Sequence, residues 1–297
     1  MKLTFNIHYK TTAGQHLAVA ILSPINAVLR MEPSGNDNWH ATTTINEFMD
    51  STSVTYRYSV VNDCDMTTAR EEYGTPHSID LTDRDIKQLT VTDRWSDAPP
   101  HKPFYAQAFT RCINRRRETS APVSATPGRL LIKIDAPEVS PDETLVMTGS
   151  CDILGNWNPE LAPEMNDALF PTWQLSIPVD ALSEDIEYKM VTVKKSDRQV
   201  VKWEEGSNRY LSKKGIARAD ATVIGGLIFN QEHSTWRGTG VAIPVFSLRS
   251  DEDWGVGDFH DLIRLTDWAK ATGQQFIQIL PINDTTMTGT WMDSYPY

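Results

Sequence analysis

The sequence predicts a mostly β protein: two immunoglobulin-like antiparallel β-sandwiches, followed by a segment with the grammar of a βαβ unit. Three observations carry this reading. Short apolar–polar alternations separated by turn clusters such as "SGNDN", "SPDE" and "GNWNPE" fill residues 1–230. The pattern occurs twice in the same order, at a separation of about 130 residues (Trp39 to Trp173, Tyr56 to Tyr188). Beyond residue 236 the alternation gives way to continuous apolar runs around one helical pattern.

The elements follow in chain order. "LTFNIHY…LAVAI" opens the first copy and "LLIKIDA…LVMTG" the second. "NDNWHATTTI" then matches "FPTWQLSI", "VTYRYSVV" matches "IEYKMVTV", and "LTVTD" matches "ATVIG". In "TWQLSI", Trp173, Leu175 and Ile177 share one face while Gln174 and Ser176 share the other, as in a half-buried strand. The copies span residues 1–96 and 128–230, a size that suits a sandwich. Residues 97–127 between them are Pro- and Ser-rich at their ends and read as a linker, packed at "FYAQAF" and loose around 118–127. The run Arg115–Arg117 within it reads as a solvated charge run rather than a phosphate site.

In residues 236–297, "GVAIPVFSL" (240–248) is expected as a strand buried on both faces. Asp258 is placed to cap a helix over 259–272, where Phe259, Leu262, Ile263, Thr266 and Ala269 recur at helical spacing and Gly273 ends it. "QQFIQILP" supplies a second strand, and strand–helix–strand implies a parallel pair. One such unit cannot cover a parallel sheet, so the segment reads as the start of a larger domain and the chain as an N-terminal fragment. "GVG" (255–257) lacks dinucleotide spacing and any following GK[ST], and reads as a tight turn rather than a phosphate loop.

Bulk properties narrow the function. The 297 residues carry a formal net charge of −11, which disfavours nucleic acid and anionic membranes as partners. Cys64, Cys112 and Cys151 are odd in number and form no CxxC. They imply reduced thiols in a cytoplasmic protein, with no metal site and no cofactor. No apolar h-region opens the chain and no window is long and apolar enough for a membrane span.

The chemistry concentrates in the second copy, in "ILGNWN", "IEYKM" and "VKWEEGSNRYL". Trp157, Lys189, Trp203, Glu204 and Asn208 come from three separate elements of one domain. A pyranose presents an apolar CH face that stacks on indole and a hydroxyl rim that needs donors and acceptors, so this set suits a sugar. A pair of purely structural or protein-docking sandwiches, with the tryptophans in their cores, is the alternative.

The second copy resembles the starch-binding domain of carbohydrate-binding module family 20, whose "LGxW … EYK … WExxxNR" is met by Leu154, Gly155, Trp157, Glu187, Tyr188, Lys189, Trp203, Glu204, Asn208 and Arg209. The resemblance implies an α-glucan site on Trp157, Lys189, Trp203 and Asn208, with Glu204 assisting. A second site of that family would use a strand tryptophan, for which Trp173 is the candidate, although its alternation also fits packing. The first copy keeps the frame, but has Ala13 in "TAGQ", no "LGxW", and Arg70 about where Trp203 stands. Trp39 and Trp95 read as packing residues and the copy as a degenerate module. Residues 237–297, "RGTGVAIPVFSLRSDEDWGVGDFHDLIRL…SYPY", resemble the start of glycoside hydrolase family 77, the 4-α-glucanotransferases. That implies the opening of a TIM barrel and a retaining transfer between α-1,4-glucans, maltodextrins included. Its catalytic carboxylates belong to later barrel strands, so none is expected here; Asp251, Asp253, Asp258, Asp284 and Asp293 read as loop or capping residues. The resemblance places Tyr297 as a substrate contact, by the family's "SPY" loop. A different α-glucan hydrolase behind the same modules remains an alternative.

Overall fold

The two-residue period of the first copy becomes nine strands in a computed structural model of the chain, which describes residues 1–45, 52–81, 85–98, 102–116, 121–183, 185–231 and 237–282. They are β1 (Lys2–His8), β2 (Gln15–Ser23), β3 (Ala27–Arg30), β4 (Glu32–Gly35), β5 (Asn38–Thr44), β6 (Ser53–Asn62), β7 (Thr68–Glu71), β8 (His77–Asp80) and β9 (Gln88–Arg94). The second copy gives β10 (Arg129–Asp135), β11 (Glu143–Gly149), β12 (Asn166–Leu169), β13 (Thr172–Pro178), β14 (Asp185–Lys194), β15 (Val200–Trp203), β16 (Arg209–Ser212), the helical turn α1 (Lys213–Ile216) and β17 (Ala221–Ile228). By contact the chain forms two units, Met1–His233 and Ser234–Tyr297.

Each copy has a sheet of its own: β3-β2-β6-β7 with β8 also on β6, and β11-β14-β15 with β16 also on β14. The opposing layer is shared. One eight-stranded sheet runs β12-β13-β10-β17-β9-β1-β5-β4 through both copies. It is not wholly antiparallel, because first and last strands pair parallel in each copy and β17 pairs parallel with β9. Edge alternation alone does not reveal such a junction, since either edge satisfies its ladder equally well with solvent or a neighbour.

The shared sheet is buried on both faces at the junction. Leu130, Ile132 and Ile134 of β10 enter the second core, whereas Leu131 joins Leu3, Phe5, Tyr56 and Val223 in the first. The strand tryptophans are equivalent packing residues. Trp39 faces Ile7 across the ladder and donates its indole N–H to the Tyr9 carbonyl at 3.0 Å; Trp173 faces Ile134 and donates to the Ala136 carbonyl at 3.2 Å. With 0% exposure, Trp173 lies in the core, which removes the surface that a second sugar site on it would need.

The inter-copy segment is more anchored than its composition suggests. Arg116 is buried, not solvated. Its guanidinium donates to the carbonyls of Val139, Ser140 and Glu143 and lies 4.7 Å from the Trp173 ring centroid. Further on, Val123 exchanges two hydrogen bonds with the Gln174 amide, and Ala125 donates to Asp80. Residues 121–126, expected as loose, are therefore tied to both copies.

In the second unit β18 (Gly240–Ile243) and β19 (Phe276–Ile279) pair parallel, joined through α2 (Asp261–Ala271). The first strand stops well short of residue 248 because Pro244 begins a 3₁₀ turn. Both strands are intermediate to exposed in burial rather than covered on two faces. The helix starts at Asp261 with His260, not Asp258, at its N-cap; Asp258 accepts the His260 N–H and Asp261 accepts the Asp258 N–H, which closes the turn before the helix. Among the described residues no helix is long and apolar enough to cross a membrane.

Candidate functional site

The site is built on the outer face of β11-β14-β15. Val146 of β11 and Val191 and Val193 of β14 form a small apolar patch there, and Ala162 packs on it. Ala162 belongs to the long connection after β11, which returns to that strand's edge through the Val146↔Glu164 bridge. Arg198, in the β14–β15 turn, clamps this connection by donating to the Pro159 and Ala162 carbonyls. Trp203 faces Val191 across the ladder, so its ring lies on this same face, 40% exposed.

Trp157 ends the short helical stretch Asp152–Trp157 of the same connection and is half-exposed. Three consecutive residues, Gly155, Asn156 and Trp157, have φ of 71°, 48° and 65°, a left-handed run that glycine and asparagine favour. A Cβ at Gly155 would stand 2.9 Å from the Ala162 amide nitrogen, so the backbone passes too close there for a side chain.

Lys189, half-buried on β14, donates to the Glu204 and Gly206 carbonyls at 3.0 and 2.7 Å and braces the turn after Trp203. Asn208 on that turn is exposed and donates its amide to Glu187 at 2.8 Å; its side chain also carries a carbonyl oxygen that can accept from a donor. Glu187, a motif residue to which the sequence gives no role, is thereby a polar member of this surface.

Glu204 departs from the expectation that it contacts sugar. It is 3% exposed, and its carboxylate accepts from the Arg209 guanidinium, the Met190 N–H and the Asn230 N–H. Both carboxylate oxygens are engaged. The residue closes the fold by joining β14, β16 and the end of β17.

The first copy repeats this clamp. Glu72 accepts from the Tyr58 N–H, the Ser96 N–H and His77, five residues on, as Arg209 is from Glu204. Arg57 braces the Gly74 carbonyl as Lys189 braces Gly206. The register corrects one alignment: Ser59 faces Glu71 as Val191 faces Trp203, so Glu71, not Arg70, occupies the Trp203 position. Pro76 correspondingly stands for Asn208. The connection carrying Trp157 is six residues longer than its counterpart (Val146 to Glu164, 18 positions; Ala18 to Arg30, 12). The copies thus share Glu204 and the cation at 189, and differ at Trp157, Trp203 and Asn208.

Tyr297, Asp284 and Asp293 lie outside the described residues. Asp253 accepts the Ser250 and Gly255 N–H groups, a loop-closing role. Among the described residues no group of His, Cys, Asp and Glu could hold a metal ion.

Residues 129–221 match the family described as starch binding domain, and residues 243–297 match the family described as 4-alpha-glucanotransferase. The chain is similar to 4-alpha-glucanotransferase DPE2 of Oryza sativa subsp. japonica, at 32% identity over 99% of this chain and 33% of that protein. A 46-residue stretch is 54% identical to a 4-alpha-glucanotransferase of Chlamydia trachomatis serovar D, covering 16% of this chain and 9% of that one. Among solved structures, it is similar to the family 20 carbohydrate-binding module of the maltotetraose-forming amylase from Pseudomonas saccharophila STB07, at 24% identity over 33% of this chain and 99% of that one, with a TM-score of 0.27. The chain spans about a third of the length of the rice relative.

Proposed function

We propose that this chain, whose residues 129–221 belong to the starch-binding domain family and whose residues 243–297 belong to the 4-alpha-glucanotransferase family, is the α-glucan-binding part of a 4-alpha-glucanotransferase. Residues 1–96 and 128–230 are its two modules and only the second binds glucan at this face. The observation that carries the assignment is the difference between the copies: with one frame and one clamp, the second adds two displayed indoles and an amide. Trp157 and Trp203 stack on glucose rings, Asn208 accepts from a hydroxyl, and Lys189 holds the turn that presents them, with its remaining N–H directed to sugar.

The activity of the whole enzyme is retaining transfer of α-1,4-glucan segments, in which a sugar hydroxyl replaces water as acceptor. No catalytic carboxylate is assigned to this chain, and residues 236–297 belong to a TIM-barrel domain. A cytoplasmic setting agrees with three free cysteines, two of them exposed.

Trp157→Ala and Trp203→Ala are each expected to weaken maltoheptaose binding by about 1–3 kcal/mol in calorimetry, the scale of a lost aromatic anchor. Unchanged affinity in both folded variants refutes the site and favours structural tryptophans.

A further inference from the structure

At the junction of the copies lies a partly open cavity of about 550 Å³ whose walls mix apolar and polar side chains. It forms where β17 leaves the β9 ladder after the Ile224↔Thr92 pair. Gly225 and Gly226 then run so close to β9 that added Cβ atoms would stand 2.5 Å from Asp93 Oδ1 and 2.4 Å from the Arg94 carbonyl. The β10–β17 register shifts between Ile132 and Ile134, at Lys133. The Lys133 ammonium crosses to the first copy and donates to the Ser78 carbonyl at 2.5 Å.

The chemistry of the walls is specific. Asp93 is 3% exposed. Its Oδ2 accepts from the Tyr56 and Tyr58 hydroxyls at 2.8 and 2.9 Å, whereas Oδ1 has no hydrogen-bond partner and has the His77 ring nitrogen 3.8 Å away. An unpartnered carboxylate oxygen this deeply buried calls for a donor. Asp135, across the cavity, accepts from Thr172 at 2.6 Å. Lys133 and His77 face Asp93 and Asp135, while Asp97 on the wall pairs with Arg70 and Glu72 contacts His77 from behind, so the site holds both acceptors and donors. Pro76, Leu169 and Pro171 supply an apolar wall.

We propose that this inter-module cavity binds a small neutral polyhydroxylated ligand, with one hydroxyl donating to Asp93 Oδ1 and a neighbouring one accepting from Lys133. Its size suits a ligand of one or two hexose rings. The choice of a glucose-based ligand rests on the glucan reading above; the polyol chemistry does not. None of Trp157, Trp203 and Asn208 lines the cavity, so the two sites separate experimentally.

The test titrates the full chain with maltose and follows the His77 ring by NMR, in wild type and in a Trp157→Ala/Trp203→Ala double variant. Saturable shifts of His77 are expected in both. Asp93→Asn in the double-variant background is expected to weaken maltose at least about tenfold, the scale of a lost hydrogen bond to a charged group. Lys133→Met, which keeps the aliphatic stem, repeats the test should Asp93→Asn not fold. A folded double variant that binds no maltose while wild type does overturns this proposal and leaves the Trp157–Trp203 site standing. Maltose binding that the double variant retains and Asp93→Asn or Lys133→Met leaves unchanged also overturns it. Loss with Asp93→Asn while the His77 shifts of the double variant match wild type supports the cavity, whatever maltoheptaose calorimetry on the tryptophan variants finds at the other site.

Discussion

Replacing Glu204 by Gln separates a structural carboxylate from a sugar ligand, because the change keeps shape while removing charge. In the folded protein the carboxylate is ringed by donors: the Arg209 guanidinium and the backbone N–H groups of Met190 and Asn230. Glutamine turns one acceptor oxygen into an NH₂ that must face one of those donors. The Arg209 charge, on a side chain 13% exposed, loses its counter-ion but keeps the Ile228 carbonyl at 2.7 Å. Breaking a buried pair from one side costs about 3–5 kcal/mol. The retained carbonyl and the partial exposure of Arg209 place this case at the lower end, about 3 kcal/mol. Urea unfolding, with hydrogen exchange assigning the loss to the second copy, measures the stability. Maltoheptaose calorimetry at a temperature where the variant is folded measures the sugar. The expected result is a large stability loss with affinity changed less than about twofold, well under one anchor contact. Wild-type stability combined with a tenfold loss of affinity would make Glu204 a sugar ligand and refute the clamp.

Gly155→Ala forces an L-residue to φ 71° and sets its methyl carbon 2.9 Å from the Ala162 nitrogen. A stability loss of at least about 1 kcal/mol is expected by thermal unfolding, with weaker maltoheptaose binding as Trp157 is displaced. Burial works against the charged form of His77, but the carboxylates of Asp93 and Glu72 outweigh it, so its pKa is raised. A raised folded value means that the contribution of His77 is fully present below its unfolded pKa of about 6.5 and is lost as pH rises through the folded value. Asp93, raised by burial, adds a loss with the same sign. Urea unfolding from pH 6 to 9 is expected to show this decline in wild type and a flatter profile in His77→Gln; parallel profiles would exclude it.

Some of this was legible in the sequence for direct reasons. Strand alternation and the repeat survive because each copy must bury one face of the same two layers, so positions such as Trp39 and Trp173 recur with their neighbours. The parallel pairing of 240–243 with 276–279 was legible from the helix between them. Arg116 was not, since a basic run in a Pro-rich segment reads as solvated. Its burial depends on three carbonyls and an indole that only the tertiary fold brings together. The sharing of one sheet between the copies left no periodic trace either. The role of Glu204 was readable but masked by its neighbours. Glu72 and His77 repeat the five-residue spacing of Glu204 and Arg209, and a carboxylate retained where the sugar motif is lost serves the frame.

On the proposed function, that comparison also divides the site. A residue that serves only the fold is retained in both copies, and here the buried Glu at 72 and 204, with the bracing cation at 57 and 189, meets that description. A residue that serves only ligand recognition has no reason to persist where recognition is absent, and Trp157, Trp203 and Asn208 are replaced by a shorter connection, Glu71 and Pro76. Lys189 belongs to both groups. Its bracing of Gly206 is matched by Arg57 on Gly74, yet it stands two residues from Val191 on the face that carries Trp203. Removing it would therefore change sugar affinity through the turn as well as through any direct contact, and its substitution alone cannot separate the two. The tryptophans can, because neither indole has a counterpart in the frame of the first copy.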